Sequence, residues 1–318
     1  MDLLSNLLSL TPVTGHLDVR CHFGSPWRID QPVSGLQEIQ YHVLLQGAAT
    51  VESEGGNLLR LSAGDIVLFP SGDAHVLRDG GGQPSVKVST HSRSGIAVSS
   101  NRSADAGETV DILCGRFLIP HLSHLLLRDY LPPLLHVRSL GLELNRDKSL
   151  EARVAGTRLA RLIELMREEA LGQEPGSESL INHLSGALFG LALRYASQSG
   201  EPPRGLLMLA QRPRMQPALS AIFERPGEPW TLPRLAELCS MSRATFVRHF
   251  DGAVGRSAID FLTDVRMAVA GRMLVESMLS IAQIGESVGY QSPAAFQRAF
   301  KKQVGITPAQ WRSRAKGR

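Results

Sequence analysis

The chain has 318 residues, enough for two domains or three, each able to bury a proper core. Its net charge of +4 hides a segregation: from residue 205 onward 16 Lys and Arg stand against 8 Asp and Glu, a net of +8, while residues 1–204 carry a net of −4. An odd count of three cysteines argues against a disulfide framework, the lack of any eighteen-residue apolar run argues against a membrane-spanning helix, and the basic back half points to a polyanion partner.

The amino end, MDLLSNLLSL, has neither the basic leader nor the cleavage site of a signal peptide, so a cytoplasmic chain without a membrane partner is expected. Residues 15–120 then read as short β runs at 19–23, 39–45, 48–52, 57–61, 65–69, 75–77, 86–90 and 111–117, broken by Gly, Pro, Asp and Ser. That pattern predicts a closed barrel or jelly roll over 1–120. Within it, residues 64–75, GDIVLFPSGDAH, resemble the second conserved motif of the cupin superfamily.

In metal-binding cupins the histidine of that motif, here His75, joins a His-x-His and Glu set from the first motif. The corresponding strand here, QYHVLLQGAATVESEGG, has His42 alone, and Glu52 or Glu54 is misplaced or exposed. A metal centred on His42 and His75, helped by a cysteine, is one reading. Satisfied core or rim histidines with no cofactor is the other, and the incomplete first motif favours it.

Residues 121–200 read as a helical pair. Leu159, Leu162, Ile163 and Met166 form one stripe and Ile181, Leu184, Leu188, Leu191 and Leu193 populate another, broken by GQEPGS at 172–177. The pair can join a second chain in a homodimer or pack on its own barrel. SGEPPR at 199–204 reads as a linker.

The last hundred residues spell one pattern twice. Leu232, Leu235, Ala236, Cys239, Ser240, Ser242, Phe246 and Phe250 are matched by Ile281, Ile284, Gly285, Val288, Gly289, Ser292, Phe296 and Phe300. The offset is 49 at Ala236 and Gly285 but 50 at Ser242 and Ser292, so the second turn has gained one residue. Each copy predicts two amphipathic helices joined as helix-turn-helix, at about 232–253 and 281–304. Gly289 suits the positive φ that ends a helix, Ser242 and Ser292 sit where N-caps belong, and Pro293 falls at the first helical position. Away from the Phe stripes lie Arg243, Thr245 and Arg248, then Gln297, Arg298 and Lys301, side chains suited to a major groove.

Residues 281–311, IAQIGESVGYQSPAAFQRAFKKQVGITPAQW, are similar to the signature of the AraC/XylS family of bacterial transcription regulators, the match covering about 212–315. The resemblance implies seven helices, with a long connecting helix at about 258–276 that spans roughly 28 Å at ~1.5 Å per residue. It also implies base contacts at Ala244, Val247 and Arg248, and at Ala294, Gln297 and Arg298. Arg248, Arg298 and Gln297 are expected to read bases; Arg243, Thr245 and Lys301 to position the helices; Ala244, Val247 and Ala294 to touch at most a thymine methyl. Promoter DNA and RNA polymerase are the implied partners.

CHFGSPW at 21–27, YHVLLQGAA at 41–49 and ILCG at 112–115 resemble a cupin-bearing subgroup that responds to reactive chlorine species. By that resemblance Cys21 is the redox-sensing thiol and Cys114 its partner. From the residues alone, Cys21 is equally a small buried hydrophobe, because Arg20 and His22 point to the opposite strand face unless a turn or bulge intervenes. Cys239 lies on an inner helical stripe and reads as core. The expected fold is α+β: a cupin-like barrel at 1–120, a helical region at 121–200, and an all-α domain at 212–315. The expected function is a transcription regulator, an activator that senses an oxidant or small molecule. A metal-dependent cupin enzyme and a metabolite-binding regulator without redox sensing remain as alternatives.

Overall fold

The computed structural model describes residues 2–80, 88–93, 95–101, 109–120, 122–138, 150–172, 174–198 and 204–316. The chain divides into two compact units, one of Val13–Ile119 with Pro132–Pro203, the other of Met1–Pro12, Pro120–Leu131 and Arg204–Arg318.

The first unit holds the strands β1 (Thr14–Gly24), β2 (Arg28–Gln31), β3 (Glu38–Gln46), β4 (Ala48–Ser53), β5 (Leu58–Ser62), β6 (Asp65–Phe69), β7 (His75–Arg78), β8 (Ser89–Arg93), β9 (Ile96–Asn101), β10 (Thr109–Leu118) and β11 (Leu135–Arg138). They form two sheets, ordered β11-β6-β3-β10-β1-β9-β8 and β2-β7-β4-β5. Among the described residues the expected barrel is therefore not closed by hydrogen bonds. Gly47, at φ +82, turns the chain between β3 and β4 so that these sequence neighbours enter different sheets. Both sheets share one core of Cys21, Phe23, Leu44, Val51, Leu61, Val67, Phe69, Leu77, Ile112 and Cys114.

Of the expected strands, the one at 86–90 begins at residues outside those described, and β2, β9 and β11 have no counterpart in the sequence reading. The linker expected at 199–204 lies, but for Arg204, outside the described residues.

Two further helices of this unit, Leu150–Leu171 and Ser177–Ser197, pack on each other, and the second lies along β1. A Cβ at Gly15 of β1 would collide with Ser185 and the Gly186 backbone, Tyr41 Oη and Ser185 Oγ are 2.8 Å apart, and the Phe117 and Phe189 rings are 5.0 Å apart. Ile181, Leu188 and Leu193 of the second helix's apolar stripe are buried within this unit, where that helix packs on both its neighbouring helix and β1.

In chain order the helices are α1 (Leu3–Leu10), α2 (His124–Leu127), α3 (Leu150–Leu171), α4 (Ser177–Ser197), α5 (Leu206–Ala210), α6 (Gln216–Glu224), α7 (Leu232–Leu238), α8 (Arg243–Val254), α9 (Ala258–Glu276), α10 (Ile281–Ser287), α11 (Pro293–Val304) and α12 (Pro308–Lys316). All but α3 and α4 belong to the second unit. There α9 is buried nearly all round, through Phe261, Val265, Met267, Ala270 and Leu274, because it packs against α6 and α8 toward one end and α10, α11 and α12 toward the other. Its bounds match the connecting helix expected at 258–276. Met1–Pro12 and Pro120–Leu131 belong to this unit and not to the sheets they flank in sequence; α1 packs on α6 and α2 on α9.

Candidate functional site

The two helix-turn-helix copies are built by the same local rules. Thr231 and Ser280 cap the first helices, Ser242 and Ser292 the second, and Gly255 and Gly305 end the second helices in the left-handed region. Ser240 and Gly289 take positive φ, +51 and +91, and Met241 N and Tyr290 N close the turn onto Ala236 O and Gly285 O at 3.0 and 2.9 Å. The extra turn residue is Gln291, which explains the change of offset. Gly285 is small because a Cβ there would stand 3.0 Å from the Phe296 side chain.

Arg243, Ala244 and Arg248 of α8 and Ala294, Gln297, Arg298 and Lys301 of α11 are exposed, as is Lys302, which the sequence reading passed over. Val247 and Thr245 are half-buried, and the Thr245 hydroxyl accepts from Ser242 Oγ at 2.9 Å, so it completes the helix cap. Among the described residues no carboxylate pairs with Arg243, Arg248, Arg298 or Lys301, whereas Arg225, Arg256, Arg266 and Arg312 are each held by protein acceptors. Cations left unneutralised on two equally long helices are free to meet phosphates and base edges.

In the other unit, all four candidate sensor side chains meet in the core. Cys114 lies directly opposite His42 across β10 and β3, with Sγ 3.1 Å from His42 Nδ1. His42 Nε2 is 2.8 Å from His75 Nε2, and His75 Nδ1 is 3.0 Å from the Asp73 carbonyl. Cys21, diagonal to Cys114 on the neighbouring strand β1, brings its thiol within hydrogen-bonding reach of Cys114. Phe69, unnoticed in the sequence, stacks on His75 with ring centroids 3.4 Å apart. Burial holds the His42 imidazole well below its usual range and lowers His75 to about 4, while contact with Cys21 and burial push the Cys114 thiol up.

Arg20 turns away from this cluster to a bidentate pair with Asp111, and the bulge in β1 falls between Leu17 and Val19, too early to redirect it. A metal does not fit the histidines as they stand. They contact each other directly, His42 spends both nitrogens on different partners, and Glu52 pairs with Arg78 at 3.3 Å. Among the described residues no three His, Cys, Asp or Glu side chains converge on a common point. A polar cavity of about 430 Å³ reaches the cluster, lined by Asp18, Pro32, Glu38, His42, Cys114 and Arg116 among others.

Paired helices bearing free cations, carried on one buried connector, are the equipment of a duplex reader, and the fold defines a DNA-binding regulator of transcription. A cupin family model matches residues 2–198 and a helix-turn-helix domain model residues 235–314. The chain belongs to the cupin family by the first of these matches and carries an AraC-type helix-turn-helix domain by the second. It is 29% identical over 99% of both chains to the RCS-specific HTH-type transcriptional activator RclR of Escherichia coli (strain K12), and 26% identical over 98% of both to the HTH-type transcriptional regulator MtrA of Neisseria gonorrhoeae. Among solved structures it is similar to the DNA-binding domain of AdpA in complex with a target DNA, at 28% identity, 33% of this chain, 94% of that chain and a TM-score of 0.31. No described helix is long and apolar enough to cross a membrane.

Proposed function

We propose that the protein is a cytoplasmic, sequence-specific activator that recruits RNA polymerase to promoters when its cupin unit meets a two-electron oxidant of the reactive-chlorine class. The observation that carries this reading is the diagonal placement of Cys21 and Cys114 on the adjacent strands β1 and β10, both inside one buried core. Two thiols and one hypochlorous acid give one disulfide, water, chloride and a proton, so atoms and electrons balance. Diagonal neighbours on an antiparallel pair sit ~7–8 Å apart at Cα, beyond the ~4.4–6.8 Å a disulfide spans, so closing the bond must shift β1 against β10. Strand β10 runs directly into Pro120–Leu131, where Leu122 and Leu125 pack in one core with Met267, Leu274, Phe296 and Phe300 of the DNA-reading unit.

In this reading Arg248, Arg298 and Gln297 read base edges, Arg243, Lys301 and Lys302 hold phosphates, and Ala244, Val247 and Ala294 offer apolar contact. A homodimer would use Val154, Leu165, Leu171 and Leu180, which face outward from α3 and α4. The test is promoter output under hypochlorous acid: Cys21→Ser and Cys114→Ser should each abolish induction, and an undiminished response in both refutes oxidant sensing. The cavity beside His42 supports a second reading, a small polar effector. That one expects thermal stabilisation by a metabolite and indifference to oxidants.

A further inference from the structure

The buried chain of groups has only one arrangement of protons when its members are neutral. The Asp73 carbonyl can only accept, so His75 Nδ1 carries a hydrogen and His75 Nε2 is a lone pair. His42 Nε2, 2.8 Å away, must then donate, which leaves His42 Nδ1 as an acceptor, and the 3.1 Å contact must be the Cys114 S–H donating to it. Burial keeps both rings neutral near pH 7. Cys114 and His42 line the polar cavity whose rim is formed by Pro32, Val33 and Gly35, all exposed, while Cys21 is absent from its walls.

Resting on the oxidant-sensing reading, we infer that Cys114 is the thiol the oxidant meets, that His42 and His75 carry its proton away, and that Cys21 is the resolving thiol. Cys114 Sγ bonds to chlorine as the Cl–O bond breaks and hydroxide leaves. The thiol proton passes to His42 Nδ1 while the His42 Nε2 proton passes to His75 Nε2, and imidazolium and hydroxide then neutralise to water. Cys21 attacks the sulfenyl chloride, the S–S bond forms, and chloride and the Cys21 proton depart. The charged and titratable groups facing this path are Asp18 and Cys21 from β1, Glu38 and His42 from β3, Arg116 from β10, and Asp73 and His75 at the start of β7. The negative charge of Asp73 favours the transient imidazolium. His42 and His75 are positioning residues that act through the thiol.

Full-length protein is alkylated with iodoacetamide from about pH 5.5 to 8.5 and each cysteine is followed by mass spectrometry. Cys114 should be labelled before Cys21, at a rate nearly independent of pH across this window. His75→Gln and, as a second variant, His42→Asn should slow it at neutral pH by roughly tenfold or more and restore the ordinary rise of about tenfold per pH unit. In Cys21→Ser, hypochlorous acid should leave Cys114 as a trappable sulfenic acid. Labelling of Cys21 first, a flat profile that survives both histidine variants, or stoichiometric zinc that co-purifies and is lost with them would each overturn the inference. If the disulfide still forms in the wild type, the oxidant-sensing reading survives that result; if no cysteine reacts with hypochlorous acid, both fail together.

Discussion

The Tyr130 hydroxyl donates to Asp264 Oδ2 at 2.6 Å, and both residues are 1% exposed. Arg256 reaches the same oxygen at 3.1 Å and lies over the Tyr130 ring, 5.0 Å from its centroid, while Gln303 of α11 donates to Asp264 Oδ1. One buried carboxylate thus gathers the segment that follows β10, the connecting helix α9 and the second recognition helix. Tyr130→Phe leaves part of that carboxylate unsatisfied and should cost about 1–3 kcal/mol. Thermal denaturation of the full chain reads the loss.

Stability should respond to pH with opposite signs in the two units. Burial raises Asp264 to about 6, so its contribution is full below the unfolded carboxylate value near 4 and is lost as pH rises through 6. Burial lowers His75 to about 4, so its contribution is present above about 6.5 and is lost as pH falls toward 4. In urea denaturation between those limits, Asp264→Asn should remove a downward slope with rising pH and His75→Gln an upward one. Unchanged slopes would contradict the burial described for either group.

Binding to promoters occupied by the wild type should separate base reading from charge. Arg248→Ala and Arg298→Ala should each cost ~1–3 kcal/mol of discrimination against random DNA, as expected for a lost bidentate base contact. Lys301→Ala should weaken all sequences alike and lower the salt slope by about 1. Fluorescence anisotropy over a salt series distinguishes the two patterns.

Gly115 follows Cys114 on β10, and a Cβ there would strike the His16 carbonyl and the Tyr41 ring. Gly115→Ala should therefore destabilise the cupin unit by ~1–3 kcal/mol through overpacking, visible as a lower denaturation midpoint. Gly56, where no atom lies within 4 Å of an added Cβ, is not a matched control, because its φ of +73 adds backbone strain.

Much of the DNA-reading unit was legible because its rules are local. Ser242 and Ser292 cap helices through their own next turn, Phe246, Phe250, Phe296 and Phe300 follow the helical period, and the single inserted turn residue shows directly as a change of offset. Thr245, expected from the sequence to position its helix, also lies within reach of the N-cap three residues earlier, and its hydroxyl accepts from Ser242 Oγ at 2.9 Å. The residues 3–10 and 120–131 carried no usable signal, since their apolar side chains declare burial without naming a partner.

Local patterns along the chain specify the two recognition helices, the length of the connector between them and the alternating strands, because each depends on residues a few positions apart. Long-range folding is what brings Cys21, Cys114, His42 and His75 together in one core, divides the described strands of the β unit into two sheets, and lays α4 along β1. Those outcomes depend on which strands pair and in what register, a choice in which a one-residue slip sends every side chain to the opposite face, and no short stretch of the chain contains that choice.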